Sequence, residues 1–103
     1  MQTPEKIFAI IQQRAAQPEE GSYTNYLLDK GLDKILKKVS EEAGETIIAA
    51  KNGGRPELIG ELADLHYHLL VLMHTAGITP EDVDAELAKR FAKGGFHGHT
   101  DKH

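Results

Sequence analysis

Apolar residues recur at helical spacing in four stretches of this chain, and no stretch alternates with the two-residue period of a strand. In the first stretch Ile7, Ile10, Ile11 and Ala15 share a face. Thr3 stands ready to cap that helix and Pro4 suits its first position. The run Gln17-Pro18-Glu19-Glu20-Gly21 ends it, and Ser22 to Lys30 reads as a loop or a loose helical turn. A second helix is expected from about Leu32 to Lys51, with Leu32, Ile35, Leu36, Val39, Ala43, Ile47 and Ala50 as its stripe. Asn52-Gly53-Gly54 stops it. Pro56 opens a third helix, striped by Leu58, Leu62, Leu65, Leu69, Leu72 and Ala76 and closed by Gly77. Thr79-Pro80-Glu81-Asp82 opens a fourth with a cap, a proline and two acids that suit the helix dipole. Val83, Leu87 and Phe91 are expected to be its buried edge, and Gly94-Gly95 ends it.

Connections this short make neighbouring helices antiparallel. The expected fold is therefore all-α, a bundle of four to five helices forming one domain over residues 1–93. Residues 94–103 show no periodicity and are expected to be a flexible tail carrying His97, His99 and His103. On the third helix Ile59, Leu70 and Met73 lie off the main stripe. That excess implies a second packed surface and hence a homodimer.

Composition narrows the function. The 103 residues suffice for one compact domain, with 40% hydrophobic and 27% charged positions as in ordinary globular chains. No apolar run approaches the roughly 20 residues of a membrane span, and the first residues lack the basic-then-apolar order of a signal peptide. Neither a membrane nor a secretory route is expected, and a cytoplasmic setting fits. Cysteine is absent, which excludes disulfide and thiol chemistry. A formal net charge of −4 argues against nucleic-acid binding. A small anion remains open as a ligand if a metal or a lysine cluster offsets the charge.

Two acid groups supply candidate chemistry: Glu41, Glu42 and Glu45 on the second helix, and Glu61 with Asp64 on the third. Residues three apart share a helix face. Glu42 therefore projects with Glu45, and Glu61 with Asp64. Glu42 falls almost over Ile35, and Glu61 close to His68 and Leu72, so both pairs sit at the edge of an apolar face. If the two helices pack antiparallel, four carboxylates converge, and such a group repels itself unless a cation lies among them. Hard oxygen donors favour Mg²⁺, with Mn²⁺ as an alternative, over zinc. The competing reading is a solvated helix face, in which Lys38 pairs with Glu42 one turn away.

The pattern Glu41-Glu42-x-x-Glu45, fifteen intervening residues, then Glu61-x-x-Asp64 resembles the metal motif of the MazG-like all-alpha nucleoside-triphosphate pyrophosphohydrolases. Within that superfamily the chain is similar to the phosphoribosyl-ATP pyrophosphatase family. The residues that narrow it are Gly21 to Thr24, Gly31 to Val39, Ala49 to Asn52 and Ala63 to Leu72, and the resemblance extends to about Arg90. The family often has Gly and Thr where Ser40 and Gly44 stand here.

The resemblance implies hydrolysis of phosphoribosyl-ATP to phosphoribosyl-AMP and pyrophosphate, the second step of histidine biosynthesis. It also implies a dimer with sites near the subunit interface. Glu42, Glu45, Glu61 and Asp64 would then be the metal ligands, and Glu41, with Glu42 and Glu45, the catalytic carboxylates. Glu41 points somewhat off the cluster and is the candidate general base. Lys34 and Lys38 share the side of Glu45 and become candidate phosphate ligands, with Lys30 and Lys51 beside them. Ser22, Tyr23 and Thr24 are candidates for the adenine or ribose, although turn and cap chemistry explains Thr24 equally. His68 shares the face of Glu61 and Asp64 and is either a phosphate contact or a structural histidine. Some members of the family are fused to the next enzyme, phosphoribosyl-AMP cyclohydrolase, and this chain is too short to carry that domain as well. Two rivals remain at this point: a house-cleaning pyrophosphatase acting on a free triphosphate such as dUTP or dCTP, and a non-catalytic helical dimer.

Overall fold

The computed structural model describes residues 1–94. They form five helices, α1 (Pro4–Ala16), α2 (Tyr23–Lys30), α3 (Leu32–Asn52), α4 (Arg55–Ala76) and α5 (Pro80–Ala92), with no strand among the described residues. The expected all-helical bundle is thus the fold. None of these helices is long and apolar enough to cross a membrane. The proposed histidine tail beyond Gly94 lies outside the described residues.

The helix starts follow the sequence closely. Thr3 accepts from the Lys6 amide and opens α1. Thr79 and Asp82 cap α5 reciprocally, each side chain accepting from the other's backbone N–H. Gly53, at φ 77°, takes the left-handed turn that ends α3, a conformation that disfavours a side chain. That single turn reverses the chain, and α3 packs along α4 more extensively than any other pair.

The segment expected as a loop or loose turn is a regular helix, Tyr23–Lys30, with Ser22 as its cap. Eight residues are too few to be stable alone, so tertiary anchors carry α2. Leu27 is fully enclosed in the core with Phe8, Ile11, Ile35, Leu70 and Val71. Asn25, also buried, accepts from the Glu19 amide at 2.9 Å and donates to the Arg14 carbonyl at 2.8 Å, which stitches α2 to the end of α1.

Two further expectations are corrected. The most buried face of α4 runs through His68, Leu70 and Val71; of the expected stripe Leu58, Leu65 and Leu72 are half-buried, with Leu72 against the core, while Leu62 and Leu69 are exposed. Because α4 is apolar around much of its circumference, periodicity alone does not select the inward face. On α5, Val83, Leu87 and Phe91 are exposed, and only Pro80 is buried. Their spacing makes one apolar edge, but among the described residues α5 touches the rest of the chain chiefly through α1.

Candidate active site

The site is built on the α3–α4 hairpin. Ile35 and Glu42, two turns apart on one face of α3, are both buried. On α4, Glu61, Asp64, His68 and Val71 follow helical spacing, and Val71 anchors that face in the core. Antiparallel packing then brings the carboxylates of Glu42, Glu45 and Glu61 together, one oxygen from each lying within 4.8 Å of the others. Asp64 stands one turn beyond Glu61. It is exposed and outside this close group, yet near enough for its charge to act on Glu42.

Carboxylate oxygens have no hydrogen to offer one another unless one is protonated. Glu42 Oε1 and Glu61 Oε1 are accordingly enclosed without a hydrogen-bond partner. Burial first, then the neighbouring carboxylates of Glu45 and Asp64, push Glu42 up to about 7, with the Lys38 ammonium pulling the other way. Burial and the carboxylate of Glu45 likewise raise Glu61. Two orphaned, inward-facing oxygens in a cluster of acids form a donor set suited to a hard divalent cation. The site would hold it through Glu42, Glu45 and Glu61, with Asp64 alongside.

Lys38 closes one edge of the cluster. Its ammonium lies 3.5 Å from Glu41 Oε1 and 3.7 Å from Glu42 Oε2. Burial works against its charge, but Tyr23, Glu42 and Glu41 together hold its pKa above the usual lysine value. Glu41 itself is exposed and turned toward Lys38 rather than toward the three clustered acids.

The remaining candidates divide. Lys30 and Lys34 meet an aromatic ring, each ammonium lying 5.8 Å from the centre of the Tyr26 ring. Tyr26 stacks on Tyr23 at 5.9 Å, so the basic run reaches the site edge through two exposed aromatic rings. Lys51 is exposed in the last turn of α3. Ser22 caps α2 by accepting from the Asn25 amide. Thr24 is buried, its hydroxyl paired with that of Tyr67, and so faces the interior. His68, only 4% exposed, bonds Tyr23 and the Asp64 carbonyl. Sequence reasoning passed over Tyr26 and Tyr67. The spacing of Tyr23 and Tyr26, three apart between two lysines, was the available signal for the first. Nothing local marked the second.

Fold and site together define a helical domain whose consecutive helices present an acid cluster fit for a divalent cation. The model of the family described as phosphoribosyl-ATP pyrophosphohydrolase matches residues 5–91. The chain belongs to that family, and the membership makes it a hydrolase. A phosphoribosyl-ATP pyrophosphatase of Lactiplantibacillus plantarum is 55% identical over 93 residues, covering 90% of this chain and 88% of the relative. One from Pelotomaculum thermopropionicum is 56% identical over 87 residues, 84% of this chain and 89% of that one. The histidine biosynthesis bifunctional protein HisIE of Oceanobacillus iheyensis is 55% identical over 85 residues, 82% of this chain but 40% of its own longer length.

Proposed function

We propose that this chain hydrolyses phosphoribosyl-ATP to phosphoribosyl-AMP and pyrophosphate within histidine biosynthesis, with Mg²⁺ as cofactor and Mn²⁺ able to replace it. Family membership supports the reaction, and the observation that carries the site is the pair of unpartnered oxygens on Glu42 and Glu61. Glu42, Glu45 and Glu61, with Asp64 beside them, would hold the cation. When bound it supplies positive charge against the phosphate oxygens and makes water a better nucleophile. Lys38 adds a second positive charge at the edge of the cluster, where a phosphate would lie. Glu41, exposed at that edge beside Lys38, would take the proton of the attacking water. The stacked Tyr23 and Tyr26 rings with Lys30 and Lys34 offer an aromatic and cationic border for the rest of the nucleotide.

Pyrophosphate release from phosphoribosyl-ATP with Mg²⁺, run beside dUTP, dCTP and ATP, tests this reading. Turnover of phosphoribosyl-ATP in clear preference to the others is expected. Turnover only of a free triphosphate would move the chain to nucleotide house-cleaning, and no turnover with no metal bound would reject an enzymatic role. Fusion in the bifunctional relatives supports a working link to phosphoribosyl-AMP cyclohydrolase, the consumer of the proposed product.

The reading includes a homodimer. Ile47 and Ile48 on α3, Ile59 on α4 and Phe91 on α5 are 64%, 60%, 54% and 64% exposed, more large apolar surface than a small monomer keeps in water. Light scattering on the purified chain is expected to give twice the monomer mass, and a clean monomer at micromolar concentration would reject the dimer.

A further inference from the structure

The buried imidazole of His68 carries an inference that rests on the proposed reaction and assigns this residue a different part in it. His68 Nδ1 lies 2.7 Å from the Asp64 carbonyl oxygen, and Nε2 lies 2.9 Å from the Tyr23 hydroxyl. A carbonyl only accepts, so Nδ1 must carry a hydrogen. With that hydrogen on Nδ1, a neutral ring has a lone pair on Nε2, and the Tyr23 hydroxyl is the donor in the second bond. Burial raises the Tyr23 pKa, which keeps that phenol proton in place. The two rings meet edge to face at 5.7 Å and 80°, and the Tyr67 ring packs against the imidazole at 5.2 Å, so the histidine is held on both sides.

We infer that His68 is a positioning residue that binds the single Tyr23 hydroxyl proton and so fixes Tyr23 as a hydrogen-bond acceptor at the edge of the acid cluster. Tyr23 then has only lone pairs to offer. It cannot donate to a phosphate oxygen, and it is matched to a cationic donor. Lys38, whose ammonium stands at that edge against Glu41 and Glu42, is the cation assigned to it. Together with Glu41 and Glu42, the Asp64–His68–Tyr23 chain thereby positions the Lys38 ammonium toward the phosphates. His68 does not touch the substrate.

The direct test is nitrogen NMR of the full chain with labelled histidine, the His68 signals being assigned by their loss in His68→Phe. A pyrrole-type signal at Nδ1 and a pyridine-type signal at Nε2 are expected. In Tyr23→Phe the Nε2 signal should move and Nδ1 stay. A hydrogen on Nε2, or an Nε2 signal indifferent to Tyr23→Phe, would overturn the inference. Kinetics supply the second arm. Tyr23→Phe and His68→Phe should each lower kcat/KM roughly five- to tenfold, the scale of one oriented hydrogen bond. The double variant should be no worse than either single one. His68→Gln, whose amide oxygen can accept from the phenol, should recover most of the loss. Additive losses, or no rescue by glutamine with the fold intact by circular dichroism, would also overturn it. If the wild-type chain fails to hydrolyse phosphoribosyl-ATP, the proposed reaction falls while the tautomer result still decides the role of His68.

Discussion

Replacing Glu42 with glutamine is expected to lower kcat/KM for phosphoribosyl-ATP by about a thousandfold, the scale for losing one preorganised electrostatic group from an active site. The same change is expected to raise the Tm of the metal-free protein at pH 8. The opposite signs have one cause. Glu42 is the most enclosed acid of the cluster, 7% exposed, with one oxygen unpartnered and Glu45 and Asp64 adding like charge. Without a cation that arrangement opposes folding, and glutamine removes the charge while nearly keeping the shape. With a cation the same carboxylate becomes a ligand, and glutamine is a poor substitute. Steady-state assays and thermal melts of the two proteins check both halves. Near-normal activity in the variant would remove Glu42 from the metal site, and a lower Tm would mean that its carboxylate is structurally satisfied.

The second expectation concerns pH. Glu42 moves from an ordinary 4.5 to about 7 in the folded chain. Between these values the folded state keeps a proton that the unfolded state has released, so stability falls as pH rises and levels off above about 8. A shift of this size corresponds to on the order of 3 kcal/mol, or a Tm lower by about 10 °C at pH 8 than at pH 5 in a domain of this size. Mg²⁺ at this site would bind the ionised form, so added Mg²⁺ should raise Tm more at pH 8 than at pH 5 and release protons when titrated in weak buffer. Thermal melts in EDTA and in excess Mg²⁺ at the two pH values check this. A metal-free Tm that is flat or rising over the interval would contradict the raised carboxyl.

The caps and the hairpin were legible because their causes are local. Thr3-Pro4, Gly53 and Thr79-Pro80 act through backbone geometry within a few residues, and each sits where the sequence places it. The placement of Glu42 above Ile35 was legible from their spacing of seven. The stripe expected on α3 was only partly right: Ile35 is buried, whereas Leu32, Leu36, Ile47 and Ala50 are exposed and Ala49 is buried instead. The inward face of α4 was not legible, because Leu62, Leu65, Leu69 and Leu72 offer as good a stripe as the one through Leu70 and Val71. Only packing against α1 and α3 breaks that tie. The helix α2 was missed because its stability comes from Leu27 and Asn25 meeting residues elsewhere, which no eight-residue window contains. Tyr67 was hidden likewise: its partner Thr24 is distant in sequence. At the site the acids were readable by type and spacing. That Thr24 turns inward, and that His68 is bonded at both nitrogens, required the tertiary structure.

All four candidate ligand acids come from a single hairpin, between Glu42 and Asp64, with the reversal at Gly53 between them. The hairpin therefore supplies every candidate ligand from one continuous stretch of chain, while α1 and α2 only fix how that stretch is turned. Splicing such a domain into a longer polypeptide need not interrupt the stretch that carries its acids. The bifunctional relatives, in which a similar stretch makes up 40% and 38% of a longer chain, are an outcome that this architecture permits.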